Sequence, residues 1–105
     1  MGFLDFLFGK KEPAKVDFKA LAAKGAVILD VRTKEEFDAG HIKGAKNIPV
    51  QVIEQHLDEI KAYNKQVIAY CRSGRRSGNA TRILVKAGIN AVNGGGFEDL
   101  KGILL

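Results

Sequence analysis

The sequence predicts an α/β fold, with a mostly parallel central sheet of about five short strands and helices on both faces. Three observations lead there. The aliphatic runs Ala26-Val27-Ile28-Leu29 and Gln66-Val67-Ile68-Ala69-Tyr70 lack polar alternation, which is how strands buried on both faces read. Helically spaced segments separate the strand-like runs, and such alternation requires crossover connections between parallel strands. The length of 105 residues suits one domain with one core. Residues 1–15 read as an N-terminal apolar and basic segment with a linker, and residues 16–105 as a single domain.

Taken in order, Lys10 to Lys15 contains Pro13 and forms the linker. Val16-Asp17-Phe18 reads as a brief strand or lead-in, followed by a small helix from Lys19 to Lys24 that Gly25 ends. Ala26 to Val31 is a strand in which Asp30 is the charged exception. Thr33 can cap a helix from Lys34 to Ala39, with Glu36 completing a capping box and Phe37 turned inward. Gly40 stops that helix. Ala45 to Ile48 suits a short strand closed by Pro49, and Val52, Ile53, Leu57 and Ile60 recur at the spacing of a surface helix. Asn64-Lys65 turns the chain into the strand that ends at Cys71. A helix then starts at Ser77, with Ala80, Ile83, Leu84 and Ala87 on one face and Gly88 as its cap. Ile89 to Asn93 gives the last strand, Gly94-Gly95-Gly96 a sharp turn, and Phe97 to Lys101 a final short helix.

Composition narrows the function classes. Apolar residues make up 46%, so a packed core is expected rather than disorder. Seventeen basic against twelve acidic side chains give a net charge of +5, and Arg72, Arg75, Arg76 and Arg82 concentrate part of the excess near Cys71. Local charge of this kind favours a small anion. Nucleic acid is not expected as a partner, because only Tyr70 offers a stacking platform beside these arginines. One cysteine cannot form an intramolecular disulfide, which points to a cytoplasmic protein. Two histidines and one cysteine give no metal site with credible spacing, and no cofactor is expected.

The N-terminus, Met1-Gly2-Phe3-Leu4-Asp5-Phe6-Leu7-Phe8-Gly9-Lys10-Lys11, has neither a basic leader nor a cleavage site and is too short to span a bilayer. Phe3, Leu4, Leu7 and Phe8 share a helical face followed by two lysines. Three readings remain open: packing onto the domain or a second subunit, weak peripheral contact of residues 3–11 with the inner face of the membrane, and disorder.

The chemistry centres on Cys71. It ends a strand and precedes Arg72-Ser73-Gly74-Arg75-Arg76-Ser77, a tight basic loop at the start of a helix. A thiolate needs positive potential at neutral pH, and guanidinium groups and unpaired N–H groups at a helix start both supply it. Gly74 makes a positive φ inexpensive in mid-loop, so successive N–H groups can converge on one point. Free cysteines are often buried and inert, but a basic, turn-rich flank is a poor place for an apolar core residue. Ser73 and Ser77 could offer hydroxyls to an anion or serve the backbone as caps. Asp30 reads as an acceptor of backbone N–H bonds, and Glu36 as a cap or ion-pair member.

Two stretches, Asp30-Val31-Arg32-Thr33-Lys34-Glu35-Glu36-Phe37-Asp38-Ala39-Gly40-His41-Ile42-Lys43-Gly44-Ala45-Lys46-Asn47-Ile48-Pro49 and Cys71-Arg72-Ser73-Gly74-Arg75-Arg76-Ser77, closely resemble the rhodanese family of sulfurtransferases in its single-domain form. The likeness runs from about Val16 to Leu100. It implies a ping-pong transfer in which Cys71 takes the sulfane sulfur of thiosulfate or a similar anionic donor as a persulfide and passes it to cyanide, a thiol or a protein acceptor. It also implies that Arg76, matching the arginine that closes the family's loop, orients the donor together with Arg72. Ser73, Gly74, Arg75 and Ser77 complete the substrate-binding set. Related phosphatases and arsenate reductases carry a loop one residue longer, with arginine where Ser77 stands. The chain is expected to act as a monomer. The alternative is a persulfide carrier or a non-catalytic protein-binding module of the same fold.

Overall fold

The computed structural model describes residues 15–105, so the expectations for residues 1–14 lie outside the described residues. Helix α1 (Phe18–Ala23) leads into strand β1 (Val27–Asp30), helix α2 (Lys34–Ala39) and the two-residue strand β2 (Lys46–Asn47). A 3₁₀ helix over Val50–His56 runs into α3 (Leu57–Tyr63). Strand β3 (Val67–Cys71), helix α4 (Arg75–Lys86), strand β4 (Ala91–Gly96) and helix α5 (Phe97–Leu104) follow. The strands form one sheet in the order β2-β1-β3-β4, and every adjacent pair is parallel.

Alternation along the strands divides the core in two. Leu29, Val31, Val67, Ala69 and Cys71 face Ile53, Ile60, Ala80 and Leu84 from the 3₁₀ segment, α3 and α4. Ile28, Ile68 and Tyr70 point the other way, against Phe18 and Leu21 of α1 and Phe97, Leu100 and Leu104 of α5. Each large aliphatic side chain so buried contributes about 1.5–3 kcal/mol. Helices therefore cover both faces, as expected. All five residues of β3 are buried, which is why that stretch shows no polar alternation.

The sheet has four strands rather than about five. The Val16-Asp17-Phe18 stretch is a helix start, because the Asp17 carboxylate accepts from the Ala20 N–H at 3.0 Å and caps α1. The helix expected over 52–60 is 3₁₀ in its first part, after the Pro49 cap. The glycine run does not turn. It continues β4, and the register slips by one residue, with Ala69 opposite Asn93 but Tyr70 opposite Gly95. Gly94 is the bulged residue, and a Cβ there would meet Ile68 Cγ2 at 2.8 Å and Leu100 Cδ2 at 3.0 Å.

Beyond β1, Asp30 and Arg32 form a buried ion pair at 2.7 Å. Asp30 Oδ1 also accepts from the Arg32 N–H at 2.9 Å, and Oδ2 accepts from the Tyr70 hydroxyl at 2.7 Å. Arg32 donates to the Gly40 carbonyl at 2.7 Å, and the Tyr70 oxygen accepts from the Ile42 N–H at 3.1 Å. These bonds tie the ends of β1 and β3 to the turn after α2.

Candidate active site

Strand β3 delivers Cys71 to the carboxyl edge of the sheet, where ligands bind in open parallel sheets. Helix α4 begins only four residues later, at Arg75 and not at Ser77, because Gly74 serves as its N-cap with φ 98°. That left-handed conformation strains any residue with a Cβ, and a Cβ at position 74 would also stand 3.3 Å from Gly95 Cα. The early start brings the Ser77 N–H, in the first turn of α4, to 3.3 Å from the sulfur.

Cys71 Sγ accepts from the Gly74 N–H at 3.0 Å and the Ser77 N–H at 3.3 Å, and Ser77 Oγ lies 3.4 Å away. Burial pushes the thiol up. Hydrogen bonds from the Ser77 hydroxyl and from the N–H groups of Ser77, Ser73 and Gly74 outweigh it, so the net shift is below the ordinary thiol range. The positive end of the twelve-residue α4, with no acid in its first turn, acts in the same sense. The N–H groups of Arg75 and Arg76, at the first helix positions, have no acceptor among the described residues.

The arginines separate. Arg72 and Arg75 are exposed. Arg76 donates two bonds to the Glu36 carboxylate, at 2.8 and 3.1 Å. Glu36 in turn closes the capping box of α2 by accepting from the Thr33 N–H, so it is both cap and ion-pair member. Its carboxyl is held down at about 2, chiefly by the Arg76 bonds. His41 lies on the surface, stacked on Phe37 with centroids 3.7 Å apart and its Nδ1 2.8 Å from the Phe37 carbonyl.

Sequence reasoning missed Asn93. Its Nδ2 donates to the Gly74 carbonyl at 3.0 Å, and its Oδ1 accepts from the Gly95 N–H at 3.0 Å and the Ser77 hydroxyl at 2.7 Å. The available signal was Asn93-Gly94-Gly95, an Asx turn in which the side chain bonds the N–H two residues on. Gly96 was also missed as a packing position. A Cβ there would meet the Arg72 carbonyl at 2.7 Å, so the strand passes directly under the loop.

A cavity of about 830 Å³ between α1, α5 and residues 41–44 contains no residue of the 71–77 loop. The N–H nest around Sγ and this hollow are therefore separate places on the fold.

A thiol in an N–H nest, at the carboxyl edge of a parallel sheet and the start of a helix, defines a class of α/β proteins that stabilise a sulfur anion on one cysteine. The model of the family described as the rhodanese-like domain matches residues 15–102, and the chain belongs to that family. It is 41% identical over 75 residues to the uncharacterized protein YqhL of Bacillus subtilis, covering 70% of this chain and 59% of that protein. It thus spans less than two thirds of that relative. Identity to the thiosulfate sulfurtransferase PspE of Escherichia coli is 36% over 74 residues, covering 69% of this chain and 71% of PspE. The human single-domain sulfurtransferase TSTD1 superposes with a TM-score of 0.68 at 31% identity, covering 80% of this chain and 88% of TSTD1.

Proposed function

We propose that residues 16–105 act as a sulfurtransferase through a persulfide on Cys71. The carrying observation is the convergence of the Gly74 N–H, the Ser77 N–H and the Ser77 hydroxyl on one sulfur. That arrangement favours a thiolate without a paired base.

In the first step the Cys71 thiolate attacks the outer sulfur of thiosulfate or a similar donor. A new S–S bond forms, the donor's S–S bond breaks, and the electron pair leaves on sulfite. The unpartnered N–H groups of Arg75 and Arg76 then suit the added sulfur, which carries the negative charge. In the second step a thiolate or cyanide attacks that outer sulfur, and the pair returns to Cys71. The chain's only cysteine has no resolving partner, so the sulfur must leave to another molecule.

Only 1% of Cys71 is exposed, which suits a reactant that presents a single projecting sulfur atom. Arg72 is free to orient an anionic donor. Arg76 supports the reaction from a fixed position, since Glu36 already holds its guanidinium.

Full-length protein incubated with thiosulfate should gain the mass of one sulfur atom, and cyanide should discharge it with turnover. The Cys71→Ser variant should gain none. Labelling without discharge by any acceptor would favour the carrier reading, and absence of labelling by every small donor would favour protein docking.

A further inference from the structure

Ser77 Oγ carries one hydrogen and has two neighbours that could take it, Asn93 Oδ1 at 2.7 Å and Cys71 Sγ at 3.4 Å. The orientation of the Asn93 amide is fixed by chemistry. Its Nδ2 faces the Gly74 carbonyl, which can only accept, and its Oδ1 faces the Gly95 N–H, which can only donate. Oδ1 therefore presents lone pairs to Ser77. Two oxygens 2.7 Å apart need a hydrogen between them, and only Ser77 can supply it.

We propose that Asn93 is a positioning residue of the site, which holds the Ser77 hydroxyl hydrogen away from the sulfur while Cys71 is a thiol and yields it when the sulfur becomes an anion. In the thiol form the Ser77 hydroxyl donates to Asn93 and its lone pair accepts the S–H. In the thiolate form the S–H is gone and a lone pair facing an anion is unfavourable. The hydroxyl then turns to donate to sulfur, leaving Oδ1 with the Gly95 N–H. The proton lost by Cys71 passes to solvent or to the leaving group of an incoming reactant.

Asn93 thus competes with the thiolate for one hydrogen. It keeps the resting sulfur less acidic than the same nest would without it. A thiolate of somewhat higher pKa is the stronger nucleophile, so the arrangement trades thiolate population for reactivity. This last consequence rests on the sulfurtransferase reading, whereas the hydrogen-bond competition does not.

The charged groups around Cys71 stay constant when Asn93 is changed. They are Arg76 of α4 with its partner Glu36 of α2, Arg72 and Arg75 of the loop, and the Asp30–Arg32 pair beyond β1. Strand β4 brings no ionisable side chain, and the 3₁₀ segment contributes Val50, Val52 and Ile53 to this cluster.

The test is a thiol titration of the full chain, read as thiolate ultraviolet absorbance after subtraction of Cys71→Ser, and needs no sulfur donor. Asn93→Ala should lower the Cys71 pKa by about 0.5–1 unit, the worth of one competing hydrogen bond. In a Ser77→Ala background the same change should leave the pKa where Ser77→Ala alone puts it. An Asn93 that merely tethers the loop would give the opposite sign, because a loosened nest raises the pKa, and equal shifts in both backgrounds. Either result overturns the proposal. Should Ser77→Ala not fold, the sign for Asn93→Ala alone decides, since Asn93 is exposed and its truncation leaves no core cavity. A lowered pKa in a protein that takes no sulfur from any donor would refute the sulfurtransferase reading and leave this inference standing.

Discussion

Arg76 and Glu36, forty residues apart in sequence, are joined by two hydrogen bonds of 2.8 and 3.1 Å that fasten the first turn of α4 to the first turn of α2. The pair is a clamp on the loop. Glu36 is already fixed by the Thr33 capping box, so the guanidinium meets a carboxylate that has little freedom left to lose.

The clamp carries a pH signature. The Glu36 carboxyl, ordinarily near 4.5, is held at about 2 in the fold, so its contribution is fully present above 4.5 and is lost as the pH falls from there through about 2. Both side chains are partly exposed, and screening limits the effect to about 1 kcal/mol. Denaturant melts at stepped pH should show the Glu36→Gln variant less stable than the parent at neutral pH, with the two curves drawing together as the pH falls from 4.5 and meeting only below about 2. A constant offset across the series would mean that the pair does not act through charge.

Freed from Glu36, Arg76 would also sample other positions near the sulfur. Glu36→Gln should therefore alter the KM for thiosulfate more than kcat, by about two- to tenfold, in a steady-state assay. A change confined to kcat would instead place Glu36 closer to the reacting atoms than the structure does.

Arg72 and Arg75 are exposed, so on the proposed reading they act on a donor through their charge. Neutralising either should raise KM for a dianionic donor a few-fold while leaving Cys71 labelling at saturation intact, and the effect should shrink as salt approaches about 1 M. Salt-independent loss would indicate direct, desolvated contact with the donor.

Much of this architecture was legible because the signals were local. The Thr33 to Glu36 spacing encodes a capping box, and the aliphatic runs encode buried parallel strands; both stand in the structure. The loop was also legible, since a glycine between basic residues after a strand-borne cysteine has few alternatives. What escaped depended on contacts distant in sequence. Gly94, Gly95 and Gly96 read as a turn because nothing local reveals that β4 must pass beneath the Arg72 carbonyl. Val16-Asp17-Phe18 reads as a strand or lead-in because the six-residue helix that Asp17 caps is held by packing against α5. The resemblance assigns Arg76 to the donor, and no local signal shows its ion pair, because Glu36 comes from another helix.

Tyr70 tests the support beneath the site. Its hydroxyl donates to buried Asp30 at 2.7 Å and accepts from the Ile42 N–H at 3.1 Å. Tyr70→Phe leaves that N–H without its partner and removes one bond from the carboxylate, at a cost of about 1–3 kcal/mol. Thermal melts should show the loss, while persulfide labelling of the folded variant should persist. Loss of labelling without loss of stability would show that the hydroxyl acts at the sulfur.

Gly96 makes the sharpest prediction about how the loop is held. Its position beneath the loop allows no side chain, since a Cβ would lie 2.7 Å from the Arg72 carbonyl oxygen and 3.5 Å from Ser73 Cα. Those neighbours are backbone atoms and cannot rotate away, so Gly96→Ala must displace either β4 or the loop. Moving β4 is opposed by its pairing with the buried β3, where Cys71 stands opposite Gly96. The loop is therefore the part expected to yield. Overpacking of this kind costs about 1–3 kcal/mol, and the displaced Arg72-Ser73-Gly74 segment would carry the Gly74 N–H away from Sγ. With one of its donors withdrawn, the Cys71 pKa should rise, and sulfur uptake near neutral pH should slow more than it does at high pH. Gly102→Ala, on the exposed side of α5 where an added Cβ meets nothing within 4 Å, is the matched control and should leave both readouts unchanged.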